Sequence, residues 1–335
     1  MRALVVRPGV EHSARVADVQ PPSGDGVLLR VLEVGVCGTD REIAEGLFGI
    51  PPEDDPELVL GHELLGVVER DGAGFARGDL VTAIVRRACG HCVACAENSP
   101  DACLTGDYSE RGITRLHGFA RELVLEDPTQ LIPIPPSLGR LGVLAEPTSI
   151  CARALRHALT IGGRQPWEPR RALVIGAGAI GLLTTMLLRQ HDFDVTVTSR
   201  GESSPIAEAL GARYERDADG TFDLIVEAAG NAQLMVDALG RLGRSGVACL
   251  LGLDGRNQKV ELDGRVVGID TVLENRVLFG SVNAHRRDWL AGVDALARND
   301  REPLEQLVGL RVPLDRFADA FAFRGGKATL VVSDA

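Results

Sequence analysis

The chain has 335 residues, enough for two domains, and its 45% hydrophobic and 25% charged side chains are those of an ordinary globular protein. A formal net charge of −11 opposes long-range attraction to nucleic acid or to an anionic membrane surface. No run reaches the roughly 18 continuous apolar residues of a membrane helix. The start, Met1-Arg2-Ala3-Leu4-Val5-Val6, reads as a strand rather than an export signal, so the expected location is the cytoplasm, where the seven cysteines stay reduced and clustered ones point to metal.

From Met1 to about Glu33, apolar strands alternate with turns such as Pro21-Pro22-Ser23-Gly24-Asp25-Gly26. Two glycine-flanked turns follow, Gly35-Val36-Cys37-Gly38-Thr39-Asp40 and Leu60-Gly61-His62-Glu63. Together they offer a thiolate, an imidazole and a carboxylate, the donors zinc prefers, and they form a metal site if the fold brings them together. Each also has a structural reading: a small buried thiol, a turn histidine, a charge at an element's start. The acidic stretch Pro52-Glu53-Asp54-Asp55-Pro56-Glu57 reads as a solvated turn. Short strands after it, Leu64–Glu69 and Leu80–Val85, suggest a folded-over sheet or small barrel.

Next comes Cys89-Gly90-His91-Cys92-Val93-Ala94-Cys95, with Cys103 shortly after. Four thiolates at this spacing close a tetrahedron around zinc and leave no place for water or substrate, so this site holds a lobe and cannot catalyse. His91 is expected to be exposed rather than a ligand. The segments Ala120–Leu125 and Leu131–Pro135 read as closing strands, with proline favouring an edge. Glu146, just ahead of Pro147, stands at the entrance of an amphipathic helix, where a carboxylate can face a cleft or interact with the helix dipole.

Beyond a linker-like Gly162-Gly163-Arg164-Gln165-Pro166, the buried-type strand Arg171–Ile175 runs into Gly176-Ala177-Gly178-Ala179-Ile180-Gly181 and a helix. Strand before and helix after is the context that makes Gly-x-Gly-x-x-Gly a dinucleotide loop, with backbone N–H groups at the helix start receiving a pyrophosphate. The next strand, Asp194–Thr198, ends at Ser199-Arg200 in place of the acidic residue that bonds the ribose hydroxyls of NAD. Arg200 suits a 2′-phosphate and Ser199 can donate to it, which predicts NADP in preference to NAD. Further strands at 222–228, 246–252 and 277–282, separated by helical patterns, complete an alternating α/β domain with a parallel sheet. Cys151 and Cys249 fall in a helix and a buried-type strand, where packing explains them.

The order of metal-type turns, four-cysteine lobe, carboxylate at a helix entrance and dinucleotide loop resembles the zinc-dependent medium-chain alcohol dehydrogenases over nearly the whole chain. Tyr108-Ser109-Glu110-Arg111-Gly112-Ile113, Leu144-Ala145-Glu146-Pro147-Thr148-Ser149, Gly280-Ser281-Val282-Asn283 and Cys37-Gly38-Thr39-Asp40-Arg41-Glu42-Ile43 resemble the archaeal-type glucose 1-dehydrogenases. The resemblance implies an α/β protein with a GroES-like β-rich catalytic domain (residues 1–153 and 286–335, zinc lobe at about 89–103) and a Rossmann domain (154–285). It implies two zinc ions per chain. The structural zinc is held by Cys89, Cys92, Cys95 and Cys103, and the catalytic one by Cys37 and His62 with Glu63 or Glu146. Many relatives carry a second cysteine where Glu146 stands, and a carboxylate there suits a sugar, whose hydroxyls it can accept.

By the same resemblance, hydride passes from C1 of an aldose, D-glucose first, to NADP, leaving a lactone, while zinc acidifies the sugar hydroxyl. Thr39 starts the proton's path, Glu110, Glu146 and Asn283 contact the sugar, and Gly176, Gly178, Ala179, Ile180, Gly181, Ser199, Arg200 and Asn283 contact the cofactor. Asp40 and Glu42 are expected to be solvated. The assembly is expected to be a homodimer or homotetramer. Rival readings are a polyol, secondary-alcohol or threonine dehydrogenase on the same scaffold and, from another class, a catalytically silent NADP-binding zinc protein.

Overall fold

A computed structural model describes residues 1–256 and 258–333. The chain divides into two compact units, the first comprising Met1–Ser149, Asn283–Arg298 and Val308–Ala335, the second Ile150–Val282 and Asn299–Leu307.

The first unit is built on a seven-stranded sheet in the order Leu131–Pro133, Leu80–Ala83, Glu63–Val68, Val27–Val36, Ala328–Val331, Leu310–Pro313, with Leu123–Glu126 also pairing Val27–Val36. The long central strand explains the arrangement. Its ten residues alternate only at first (Val27, Leu29, Val31 buried) and then become buried on both faces from Val31 to Val36, so other strands must cover it from several sides. A register shift between Val31 and Glu33 marks the change. The core includes Leu29, Val34, Leu64, Val81, Phe119 and Leu131, all essentially inaccessible to water. Proline falls where its missing N–H does least harm, Pro133 and Pro313 lying in the two outermost strands. A second sheet joins Arg15–Asp18, Arg2–Val6 and Leu58–Val59, and a third, small one joins Arg86–Arg87, Ser109–Arg111 and Arg115–Leu116 beside the cysteine lobe.

The second unit carries a six-stranded sheet in the order Arg213–Tyr214, Asp194–Thr198, Arg171–Ile175, Phe222–Glu227, Leu242–Leu250, Val277–Gly280, every neighbouring pair parallel. Numbered along the chain this is 3-2-1-4-5-6, the doubly wound dinucleotide-binding order. Its central strands Arg171–Ile175 and Phe222–Glu227 are each buried over their last four residues, as strands covered by helices on both faces must be.

The helix Ala145–Gly162 begins in the first unit and continues in the second. The glycine-rich stretch read as a linker is therefore not where the units part. It ends the helix and stays within the second unit, where the Trp167 ring occupies the space a Cβ on Gly162 would need. Among the described residues no helix is long and apolar enough to cross a membrane.

Candidate metal centre and dinucleotide loop

Cys37 directly follows the central strand Val27–Val36 and caps the helix Gly38–Ala44. Its sulfur accepts the Thr39 N–H at 3.2 Å, while Asp40 reaches back to accept the Cys37 N–H at 2.9 Å, a capping box in which sulfur and an aspartate replace the usual hydroxyl and glutamate. The reading of Asp40 as solvated is thus corrected: it is 2% exposed, and its Oδ1 lies 3.4 Å from His62 Nδ1. That separation brings the charges together without a well-formed hydrogen bond. Burial pushes the Asp40 carboxyl up, but the neighbouring His62 and the Cys37 N–H outweigh it and its pKa is lowered.

His62 presents its other nitrogen to the thiol, with Nε2 3.1 Å from Cys37 Sγ. The two turns singled out in the sequence therefore meet, 25 residues apart along the chain. Burial would lower the His62 pKa, yet the neighbouring Cys37 and Asp40 raise it well above 6.5.

Glu63 opens the strand Glu63–Val68 opposite Gly35. A Cβ on Gly35 would overlap the Glu63 carboxylate, so only glycine there lets this side chain lie across the strand. Both Glu63 oxygens are taken by the buried Lys327, whose Nζ donates to them at 2.6 and 2.7 Å and approaches the Val36 carbonyl at 3.4 Å. Lys327 had no role in the sequence reading. It lies 264 residues from Glu63, and nothing local marks it.

Glu146, in the first turn of its helix, is 7% exposed and its carboxylate makes no hydrogen bond or ion pair among the described residues. Burial first, and the charge of Glu63 second, raise its pKa to about 7. One donor atom from each of His62, Glu63 and Glu146 lies within 4.8 Å of the others, and the same holds for Cys37, Asp40 and His62. A largely buried set of sulfur, nitrogen and oxygen donors that includes an unpartnered carboxyl group is chemically suited to Zn²⁺. Beside it, the half-buried Thr39 has a hydroxyl with no partner among the described residues.

The four-cysteine lobe is also assembled. All four sulfurs lie within 4.8 Å of one another, with Cys92 and Cys103 4.0 Å apart, near the separation that two Zn–S bonds of about 2.3 Å at a tetrahedral angle require. The helix Val93–Ala96 is capped by Cys92, which accepts the Cys95 N–H at 3.5 Å. His91 is exposed, as expected. Between lobe and metal centre in sequence, Glu110 is buried, and its Oε1 accepts from Arg86 Nε at 2.9 Å and from Asn283 Nδ2 at 2.8 Å. Asn283 adopts a left-handed φ of 66° and bonds its own chain through Oδ1 to the Ala284 N–H.

In the second unit the strand Arg171–Ile175 leads through Gly176 and Gly178 into the helix Ala179–Gln190, which contains Ile180 and Gly181. Gly176 has φ +111°, and a Cβ on Gly181 would strike the Gly176 carbonyl. At Gly178, by contrast, a Cβ would meet nothing, and no side chain caps the helix there, so the helix start is open to a phosphate. Ser199 Oγ lies 2.9 Å from the Tyr214 hydroxyl and accepts the Gly201 N–H, which organises the turn. Arg200 is exposed and without a partner among the described residues.

Comparison with known proteins bears on this geometry directly. Residues 139–333 match the family model described as glucose dehydrogenase C-terminus, and residues 23–136 match the alcohol dehydrogenase GroES-like domain. The chain belongs to the glucose dehydrogenase branch of the medium-chain alcohol dehydrogenases. Within that family, it is 41% identical to a glucose 1-dehydrogenase of Methanocella arvoryzae, the match covering 94% of each chain. It is 36% identical to one from Halobacterium salinarum over 98% of each. The Haloferax mediterranei glucose dehydrogenase, solved in complex with NADP, Zn and gluconolactone, superimposes with a TM-score of 0.91 at 32% identity and full coverage of both chains.

Proposed function

We propose that the protein is a zinc-dependent glucose 1-dehydrogenase that oxidises D-glucose at C1 to the lactone and reduces NADP. The observation that carries the reading is the meeting of Cys37 Sγ and His62 Nε2 at 3.1 Å beside a buried, unpartnered Glu146, in a chain matched end to end by an enzyme solved with NADP, Zn and gluconolactone. Cys37, His62 and Glu146 are the residues we assign to the metal. Glu63, bonded through both oxygens to Lys327, stays outside it as a fixed negative charge. When bound, the zinc supplies a Lewis acid that acidifies a hydroxyl, and NADP a two-electron acceptor.

The side chains of the chain do the rest. Asp40 fixes the Cys37 N–H and sets its carboxylate beside His62 Nδ1, which favours the ring orientation that turns Nε2 toward the sulfur. Thr39, half-buried and with its hydroxyl unengaged, relays the proton leaving the sugar C1 hydroxyl: its oxygen accepts that proton as its own O–H proton passes outward to solvent. Glu110, one oxygen fixed by Arg86 and Asn283, offers the other to a sugar hydroxyl. Cys89, Cys92, Cys95 and Cys103 hold a second, structural zinc. Gly176, Gly178, Ala179, Ile180 and Gly181 receive the pyrophosphate of NADP, and Arg200 pairs with its 2′-phosphate while Ser199 shapes the turn. The reading extends to a cytoplasmic homodimer or homotetramer, to be checked by light scattering.

Steady-state assays with D-glucose, D-galactose, D-xylose and simple alcohols, each with NADP and NAD, test this directly. Glucose with NADP is expected to give the highest kcat/KM, and Arg200→Gln to raise the KM for NADP by about tenfold or more while leaving that for NAD nearly unchanged. Inert aldoses beside rapid turnover of a simple alcohol would overturn the sugar assignment, and no turnover of any substrate would leave the silent zinc protein.

A further inference from the structure

Arg86 belongs to neither metal set nor to the dinucleotide loop, yet it is 7% exposed and its guanidinium is held by two hydrogen bonds and an aromatic face. It sits in the two-residue strand Arg86–Arg87, three residues before the first lobe cysteine, in direct register with Glu110 of Ser109–Arg111. Its Nε donates to Glu110 Oε1 at 2.9 Å, and its Nη1 donates to the Asp101 carbonyl at 3.1 Å. The guanidinium carbon lies 3.8 Å from the centre of the Tyr108 ring. Asp101 lies in the turn Pro100–Ala102 that immediately precedes Cys103. One planar cation thus ties the backbone of the cysteine lobe to a buried carboxylate, and the same Oε1 also accepts from Asn283.

We propose that Arg86 is a positioning residue for sugar recognition: it fixes Glu110 against the four-cysteine lobe, so that Oε2 alone is presented to the substrate. The inference rests on the assignment of Glu110 to the sugar. A guanidinium is suited to the task, because its rigid fork satisfies a carboxylate and a carbonyl at once while its face lies on an aromatic ring. Lysine at this position keeps the charge but cannot make both bonds and the stacking contact together. The lobe then does more than close a surface loop, since its order sets the direction of a substrate-binding oxygen.

The test compares Arg86→Gln, Arg86→Lys and Glu110→Gln for kcat and KM with D-glucose, for the ratio of kcat/KM between glucose and its epimers galactose and mannose, for the KM of NADP, and for zinc content. Arg86→Gln is expected to raise the KM for glucose about tenfold or more and to flatten the epimer ratio in the same direction as Glu110→Gln, with two zinc ions retained and the KM for NADP within about twofold. Arg86→Lys should fall between wild type and Arg86→Gln. A wild-type KM and epimer ratio in Arg86→Gln, with Glu110→Gln altered, would overturn the role of Arg86 and leave that of Glu110 intact. No effect in either variant would remove Glu110 from sugar binding altogether. Equal loss on all substrates together with loss of lobe zinc and an unchanged epimer ratio would make Arg86 purely structural and also overturn the proposal. Should Arg86→Gln not fold, Tyr108→Leu removes only the stacking contact: a smaller shift in the same direction supports the proposal, and none contradicts it.

Discussion

The chain builds two clusters of metal-type donors in its first unit, and they differ in almost every physical respect. The lobe uses four sulfurs from a stretch of fifteen residues, Cys89 to Cys103, and engages each with its neighbours. The other draws on distant places in the chain: His62 lies with Cys37 and Asp40 on one side and with Glu63 and Glu146 on the other, and the buried Lys327 holds Glu63. All-sulfur coordination saturates a metal; mixed donors on separate elements leave room beside it for a substrate. The difference teaches that cysteine content alone says little about role, and that the carboxylates and their counter-ions decide which cluster can work on a sugar.

Removing donors one cluster at a time should break the comparison most visibly. His62→Ala is expected to lower glucose oxidation by at least about a thousandfold and to leave one zinc per chain by elemental analysis, with a thermal midpoint close to wild type. Cys95→Ser should do the opposite: the lobe zinc is lost and the midpoint falls steeply in calorimetry, with activity declining through unfolding. If the two variants behaved alike, the division of labour between the clusters would be wrong.

A second, smaller effect separates Glu63 from Glu146. Lys327→Met leaves the Glu63 carboxylate buried without its partner, a loss on the order of 3–5 kcal/mol, and frees it to compete for the metal. The visible spectrum of the cobalt-substituted variant should therefore shift toward higher coordination number, with Lys327→Arg restoring the wild-type bands. An unchanged spectrum in Lys327→Met would mean that Glu63 is not held off the metal by Lys327.

The pH dependence sharpens the contrast further. Glu146 titrates at about 7 in the metal-free protein against an ordinary 4.5, so the folded state holds a proton that the unfolded chain has released across that interval. Stability contributed by this group is complete below about 4.5 and is lost as pH rises through about 7, on the order of 3 kcal/mol in all. Metal-free protein should thus become less stable over this window relative to Glu146→Gln, while its zinc affinity rises as the carboxylate is released. Urea melts of both proteins at several pH values check the sign.

The sequence made the lobe and the glycine loop legible because each is local: spacing alone brings Cys89, Cys92, Cys95 and Cys103 together, and a strand before Gly176 with a helix after Gly181 supplies its own context. The two turns of Cys37 and His62 were legible as donors, but their meeting depends on the pairing of Val27–Val36 with Glu63–Val68, which composition does not announce. Asp40 was misread as solvated although a capping-box spacing, residue 37 to residue 40, was there to be seen. Lys327 and Arg86 were missed for a deeper reason. A buried cation is indistinguishable in sequence from a surface one until its partner is known, and the partners here are fixed by strand register.

The most direct measurement is a titration of zinc back into chelator-stripped enzyme, following NADPH formation from D-glucose and, in parallel, zinc per chain and the thermal midpoint. The account predicts two steps: one equivalent, taken by the cysteine lobe, raises the midpoint without restoring turnover, and the second restores glucose oxidation with little further gain in stability. Full activity with the lobe alone occupied, or in His62→Ala carrying one zinc, would contradict it.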